Sequence, residues 1–220
     1  MTPSPSHPAK YSATILAVIR ATLETALPKG ACILDPFAGT GRIHELRELG
    51  YVTVGVELEA EWACEHPDTV VGDATALPVA WSAGFDAVVT SPPYGNRMAD
   101  NYAGDGSRRH TYRIALGRAL TDGSAAGLQW GDRYRTTMRL ALYEVRRVLK
   151  PGGLFILNIS DHIRDGQLQN VPEWYEAECL ALGLCRALRI DVPTPRNRHG
   201  ANGALRAPAE AVFIFQKADE

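Results

Sequence analysis

Two stretches of this 220-residue chain have a composition that points to chemistry: Asp35-Pro36-Phe37-Ala38-Gly39-Thr40-Gly41 and Ser91-Pro92-Pro93-Tyr94. In the first, the glycines carry no Cβ, so bare backbone amides can approach a ligand closely. The spacing is not the G-x-G-x-x-G of nicotinamide proteins, and the lysine of a phosphate-binding loop is missing, which disfavours a nucleoside triphosphate. Glu57, with Leu58 after it, ends the run VTVGVE, where a carboxylate can accept both hydroxyls of a ribose. Asp73, in VVGDA, can accept from an adenine amino group while the Ala74 amide meets a ring nitrogen. In the second stretch two prolines hold φ near one value and fix a carbonyl without a conformational search. With the serine hydroxyl and the tyrosine ring, they shape a small rigid cup for a flat heteroaromatic ring bearing an exocyclic amine.

Those groups need a scaffold that brings them together. Apolar spacing predicts an amphipathic helix from Tyr11 to Leu27, stopped by Pro28-Lys29-Gly30. Short apolar runs bounded by turn formers predict buried parallel strands at 31–34, 51–56, 69–71, 85–89 and 154–159. Helices are expected over 42–49, 58–64, 136–149 (closed by Pro151-Gly152-Gly153) and 171–182. An antiparallel pair at 184–192 and 211–216 completes the chain. Strands alternating with helices imply one α/β domain over residues 1–220, with a mostly parallel sheet covered on both faces. Such sheets bind ligands at the carboxyl ends of their strands, where the two motifs fall. Residues 1–10 read as an irregular arm, 95–135 as a substrate-side insertion too long for an ordinary connection, and 193–208 as a second substrate loop.

Composition sets further bounds. A chain this long with 45% hydrophobic residues can bury one sizeable core. The N-terminus has no signal-like charge and apolar run, and no segment is an uninterrupted membrane span, so an intracellular protein is expected. Four scattered cysteines suggest buried, reduced thiols rather than zinc ligands or disulfides. The net charge of −2 is unevenly spread. Residues 42–73 hold eight acids against two arginines, residues 95–140 eight arginines against four aspartates, and residues 185–206 five arginines against one aspartate. The two arginine-rich segments are candidates for a phosphate-binding face.

On DPFAGTG, Glu57, Asp73 and SPPY the chain resembles the S-adenosylmethionine-dependent methyltransferases of the Rossmann-like class, and within them those that methylate base amines of nucleic acids. The resemblance extends to HPAKYS at residues 7–12, so that Lys10, Tyr11 and Ser12 are expected beside the methionine end of the cofactor. It implies S-adenosylmethionine as cofactor, Asp35 to Gly41, Glu57, Leu58, Asp73 and Ala74 as its site, and Ser91, Pro92, Pro93 and Tyr94 as catalytic residues. The Ser91 hydroxyl and Pro92 carbonyl would accept from the amine, and Tyr94 would stack on the base. No metal and no covalent enzyme intermediate are required. The implied partner is double-stranded DNA with its target base flipped out, and homodimers occur among such enzymes. Asn96, Arg97, Arg196, Arg198, His199 and Asn202, with the arginines between 108 and 135, are the candidates for substrate contact.

Serine in the first position of the catalytic motif leans toward N4 of cytosine. N6 of adenine remains the second reading, because adenine enzymes more often resemble DPPY. An RNA base amine is a third, since Tyr94-Gly95 also suits a transfer-RNA guanine enzyme. A non-catalytic cofactor-binding subunit is a fourth. Placing the cofactor motif before an SPPY motif departs from the order frequent in cytosine enzymes.

Overall fold

The computed structural model describes residues 11–95, 111–164, 166–194 and 207–219. Strands β1 (Cys32–Asp35), β2 (Val52–Glu57), β3 (Thr69–Val71), β4 (Phe85–Thr90) and β5 (Leu149–Ile159) join β8 (Leu184–Pro193) and β9 (Ala209–Lys217) in one sheet of order β3-β2-β1-β4-β5-β9-β8. The first five run parallel; β9 is antiparallel to β5, and β8 to β9. This is the mostly parallel α/β architecture expected from the sequence.

Each central strand buries both faces. Along β1, Ile33 packs to one side and Leu34 to the other; along β4, Ala87 and Val89 oppose Val88; along β5, Ile156 opposes Phe155 and Leu157. One face is covered by α1 (Ala13–Ala26) through Ile15, Ile19 and Leu23. The other is covered by α4 (Asp132–Val148) and α5 (Val171–Ala181), with Tyr134, Met138, Val145 and Tyr175 fully enclosed. Ser12 caps α1, its hydroxyl accepting from the Ile15 amide at 3.2 Å, which stabilises a helix start by about 1 kcal/mol.

Several elements differ from the sequence expectation. Residues Arg42–Leu49 wind as a 3₁₀ helix between two left-handed glycines, Gly41 and Gly50. Its inner side chain His44 is pinned between the Thr53 and Thr69 hydroxyls at 2.7 and 2.8 Å, consistent with the tighter winding. The helix expected to close before Pro151-Gly152-Gly153 does end, at Val148, but those three residues lie inside β5, which starts at Leu149 and bulges there: Phe85 pairs with Leu149 and Ala87 already with Leu154. In the polar stretch before α4 the described residues form a helical turn, α3 (Tyr112–Leu116), and a 3₁₀ turn at Ala125–Gly127. A small hairpin, β6 (His162–Arg164) with β7 (Gln167–Gln169), was not expected. The helix anticipated over 58–64 contracts to α2 (Ala60–Ala63). All four thiols are free, but only Cys179 is buried; Cys64 and Cys185 are exposed, against the expectation of buried thiols. Among the described residues no helix is long and apolar enough to cross a membrane, and no cluster of His, Cys, Asp and Glu could hold a metal.

Candidate active site

Strand order alone brings the expected groups together. Along the sheet's carboxyl edge come Asp73 after β3, Glu57 at the end of β2, residues 36–41 after β1, and Ser91 after β4. β5 then contributes Asn158, and β9, running the other way, presents Glu210 at its start, beside the end of β5 where Ile159 pairs with Ala211. Pro36 to Thr40, Glu57, Leu58, Asp73, Ala74, Ser91 to Tyr94, Asn158 and Glu210 all line one cavity of about 360 Å³. Tyr11, Arg42, Trp62 and Tyr112 complete its wall.

The glycine turn closes tightly over β2. Gly41 has φ 81°, and a Cβ on Gly55 beneath would meet Thr69 Oγ1 at 2.6 Å and the Ala38 Cβ at 2.8 Å. The Glu57 carboxylate ties the turn down, accepting from the Gly39 amide and the Glu59 amide, both at 2.9 Å. Asp73 spends Oδ1 on the Thr75 amide and hydroxyl, both at 2.8 Å. Asp35 is placed differently from Glu57 and Asp73. It is 1% exposed and stands outside the cavity wall. It accepts from the Phe37 amide at 3.0 Å, the Thr90 hydroxyl at 2.7 Å and the Tyr11 hydroxyl at 3.0 Å. Asp35 therefore braces the strand end next to Ser91 and holds Tyr11 in the wall. Gly41 likewise borders a neighbouring depression with His44 and His66.

The Ser91-to-Tyr94 turn is held from below. Tyr134, fully buried, donates to the Pro93 carbonyl at 2.5 Å and lies 2.7 Å from the Tyr175 hydroxyl. The Trp130 amide donates to the Gly95 carbonyl at 2.8 Å, fixing a glycine with φ 69°. Pro92 lines the cavity, and its carbonyl accepts a hydrogen bond from no described residue. The Ser91 hydroxyl lies 2.9 Å from the Tyr94 hydroxyl, and Asn158 Nδ2 lies 3.2 Å from the first and 3.1 Å from the second. The Tyr94 ring packs against the main core, with its hydroxyl engaged in this cluster.

Asn158, Glu210, Arg42, Trp62 and Tyr112 are site residues that sequence reasoning missed. Lys10, Asn96, Arg97, Arg196, Arg198, His199 and Asn202 lie outside the described residues. Of the arginines expected on a phosphate face, Arg118, Arg135, Arg139, Arg186 and Arg189 are engaged within the protein: Arg135 lies over the Trp130 ring, Arg186 pairs with Glu176, and Arg189 pairs with Glu173 and Asp191. Arg118 pairs with Glu59 at 2.7 Å and with Glu61, while Arg139 pairs with Glu178 and lies over the Trp174 ring.

The segment from 111 to 127 packs at the Glu57 end of the cavity, contributing Tyr112, Leu120 and Ala125 to its wall. Glu59, 2% exposed, anchors it: its carboxylate accepts from the Thr121 amide and hydroxyl, both at 2.9 Å, and meets Arg118. Replacing Glu59 with alanine strands these donors, which is expected to cost about 1–3 kcal/mol. Hydrogen exchange across 112–126 should accelerate, and unaltered protection there would remove Glu59 as the anchor.

Burial shifts the acids. It pushes the Glu57 carboxyl up to about 7 and the Asp35 carboxyl up to about 6, against the hydrogen bonds that favour their ionised forms. Folded Glu57 holds its proton more tightly than the unfolded value of 4.5, so stability falls as pH rises between about 4.5 and 7. The amount is roughly 3 kcal/mol at 1.36 kcal/mol per pH unit. Asp35 acts in the same direction from 3.8 to about 6. His44 opposes both: burial lowers it to about 4, and its contribution is lost as pH falls from 6.5 through that value. Glu57→Gln is therefore expected to reduce the gain in melting temperature on going from pH 7.5 to 6. An identical gain in both proteins would show that Glu57 ionises normally.

No family model matches the chain, and no curated protein matches it in sequence. Solved structures match it in shape. A SAM-dependent methyltransferase from Methanosarcina mazei is 15% identical over 90% of this chain and 98% of its own, with a TM-score of 0.60. The cyclase SpnF is 15% identical over 97% of this chain and 85% of its own, with a TM-score of 0.59. The 1,6-didemethyltoxoflavin-N1-methyltransferase of Burkholderia thailandensis, solved with S-adenosylhomocysteine, is 18% identical over 98% of this chain and 94% of its own, with a TM-score of 0.52. At such identities the likeness establishes the fold alone: the Rossmann-like α/β sheet that these neighbours share.

Proposed function

We propose that this chain transfers a methyl group from S-adenosylmethionine to an exocyclic amine of a DNA base, N4 of cytosine first. One observation carries the reading: Glu57 and Asp73 line the same cavity as the Ser91-Pro92-Pro93-Tyr94 cup. The structural neighbour named as the N1-methyltransferase of 1,6-didemethyltoxoflavin lends support, as does the S-adenosylhomocysteine it holds.

The cavity suits the cofactor. Glu57 would accept from the ribose hydroxyls, Asp73 and the Ala74 amide would meet the adenine edge, and Leu58, Trp62 and Leu120 would give that ring apolar walls. Tyr11 and Arg42 would flank the amino-acid end, with Arg42, held by Glu45 and the Tyr11 carbonyl, offering a cation to its carboxylate. When bound, S-adenosylmethionine supplies an electrophilic methyl on a sulfonium.

The residues of the cup do the rest by holding the amine. An aromatic amine is a weak nucleophile because its lone pair is delocalised into the ring. Ser91 Oγ and the Pro92 carbonyl accept its two N–H bonds and favour a pyramidal nitrogen whose lone pair faces the methyl. That lone pair would take the methyl of the bound cofactor, which would leave as S-adenosylhomocysteine, and the proton the nitrogen loses would pass to water in the cavity. Positioning and aligned acceptors supply most of the acceleration.

Incubation with methyl-labelled S-adenosylmethionine and, in parallel, unmethylated genomic DNA or total RNA, followed by mass spectrometry of the nucleosides, is expected to give N4-methylcytosine in the DNA. N6-methyladenine would keep the chemistry and correct the base. Label in RNA alone, or in no nucleic acid, would overturn the DNA reading.

A further inference from the structure

Behind Ser91 lies a hydrogen-bond chain with a built-in direction. Ser91 Oγ is 2.9 Å from the Tyr94 hydroxyl, and that hydroxyl donates to Glu210 Oε2 at 3.4 Å. Asn158 Nδ2 stands inside the chain, 3.2 Å from Ser91 Oγ, 3.1 Å from the Tyr94 hydroxyl and 3.0 Å from Glu210 Oε2. Serine and tyrosine hydroxyls both donate and accept, so neither sets a direction by itself. The Asn158 N–H groups only donate, and a carboxylate only accepts. With Glu210 at the far end, Tyr94 sends its proton to the carboxylate, and its oxygen takes the proton of Ser91. Ser91 Oγ then presents a lone pair, and no proton, to the cavity.

We propose that Glu210 is the residue that makes Ser91 an acceptor, so that the site admits a ring bearing an amine and rejects the same ring bearing a carbonyl. This rests on the amine-methylation reading above and deepens it. Glu210 acts through Tyr94 and is a positioning residue. Uracil differs from cytosine, and hypoxanthine from adenine, by replacing the amine with a carbonyl oxygen. That oxygen would face the Ser91 lone pair, leaving two acceptors opposed with no proton between them, and a site built for one hydrogen-bonding group discriminates strongly against its inverse.

Glu210→Gln keeps the shape but ends the chain in an amide that can donate to Tyr94, turning the Ser91 proton toward the cavity. The probe is the duplex in which the methylated base has been located, carrying at that position either the amine base or its carbonyl counterpart. The unaltered protein is expected to bind the amine duplex at least about tenfold more tightly. In Glu210→Gln that preference should vanish or reverse, and kcat should fall on the order of 100-fold, while affinity for S-adenosylhomocysteine stays the same. Tyr94→Phe, which severs the chain, should lose the preference too, and adding Glu210→Gln to it should change nothing further. If Glu210→Gln does not fold, Tyr94→Phe alone carries the test.

A Glu210→Gln protein with unchanged preference and kcat overturns the proposal, as does an undiminished effect of Glu210→Gln in the Tyr94→Phe background. Amine methylation by an unaltered protein that does not distinguish the two duplexes overturns this inference alone. No transfer to any base overturns the functional reading and this one with it.

Discussion

Replacing Ser91 with alanine is expected to lower methyl transfer to DNA by about 100- to 1000-fold, the cost of removing one pre-aligned hydrogen-bonding group from a reaction centre. The backbone of the cup would survive, because the Pro93 carbonyl is held by Tyr134 and the Gly95 carbonyl by the Trp130 amide. Asn158 would keep Tyr94 and Glu210 as partners. The loss should therefore fall on kcat and leave S-adenosylhomocysteine binding, measured by calorimetry, unchanged. A residual rate above one tenth of the original would sink the acceptor role of Ser91.

Glu57→Ala should have the opposite signature, weakening the cofactor and sparing the geometry of the cup. A carboxylate accepting from two hydroxyls makes two charge-assisted hydrogen bonds, each contributing about 1.5–3 kcal/mol. Their loss corresponds to a decrease in affinity of about 100-fold or more. The substitution also strands the Gly39 and Glu59 amides that now donate to Glu57, loosening the glycine turn. Calorimetric titration with S-adenosylhomocysteine is the direct measurement. A dissociation constant altered less than tenfold would mean that the ribose lies elsewhere.

The parts of this site that local chemistry dictates were legible in the sequence. Gly39 and Gly41 mark a turn that needs no Cβ, and Pro92 and Pro93 announce a fixed carbonyl whatever surrounds them. Glu57 and Asp73 could be placed because each closes a short apolar strand, and parallel strands end on one edge. Asn158 and Glu210 could not. Each is a lone polar residue in or beside an apolar strand, and they meet only because β9 inserts next to β5, a pairing 50 or more residues apart in sequence that no local pattern encodes. Glu59 did not stand out among the eight acids between 42 and 73, yet its carboxylate is enclosed by Thr121 and Arg118 from the segment expected as a substrate-side insertion. Asp35 shows the converse. Its motif marks a ligand site, yet its oxygens are occupied by Phe37, Thr90 and Tyr11, so it shapes the cavity from behind the wall.

The reversed strand β9 has one more consequence. It occupies an interior position in the sheet, between β5 and β8, and it carries Glu210 to Tyr94 across 116 residues. During translation every other described element leaves the ribosome earlier, so a nascent chain can complete its glycine turn and its proline cup long before the last wall of the cavity is in place. The proposed activity would then switch on only when β9 docks between β5 and β8, after the elements that carry the glycine turn and the proline cup.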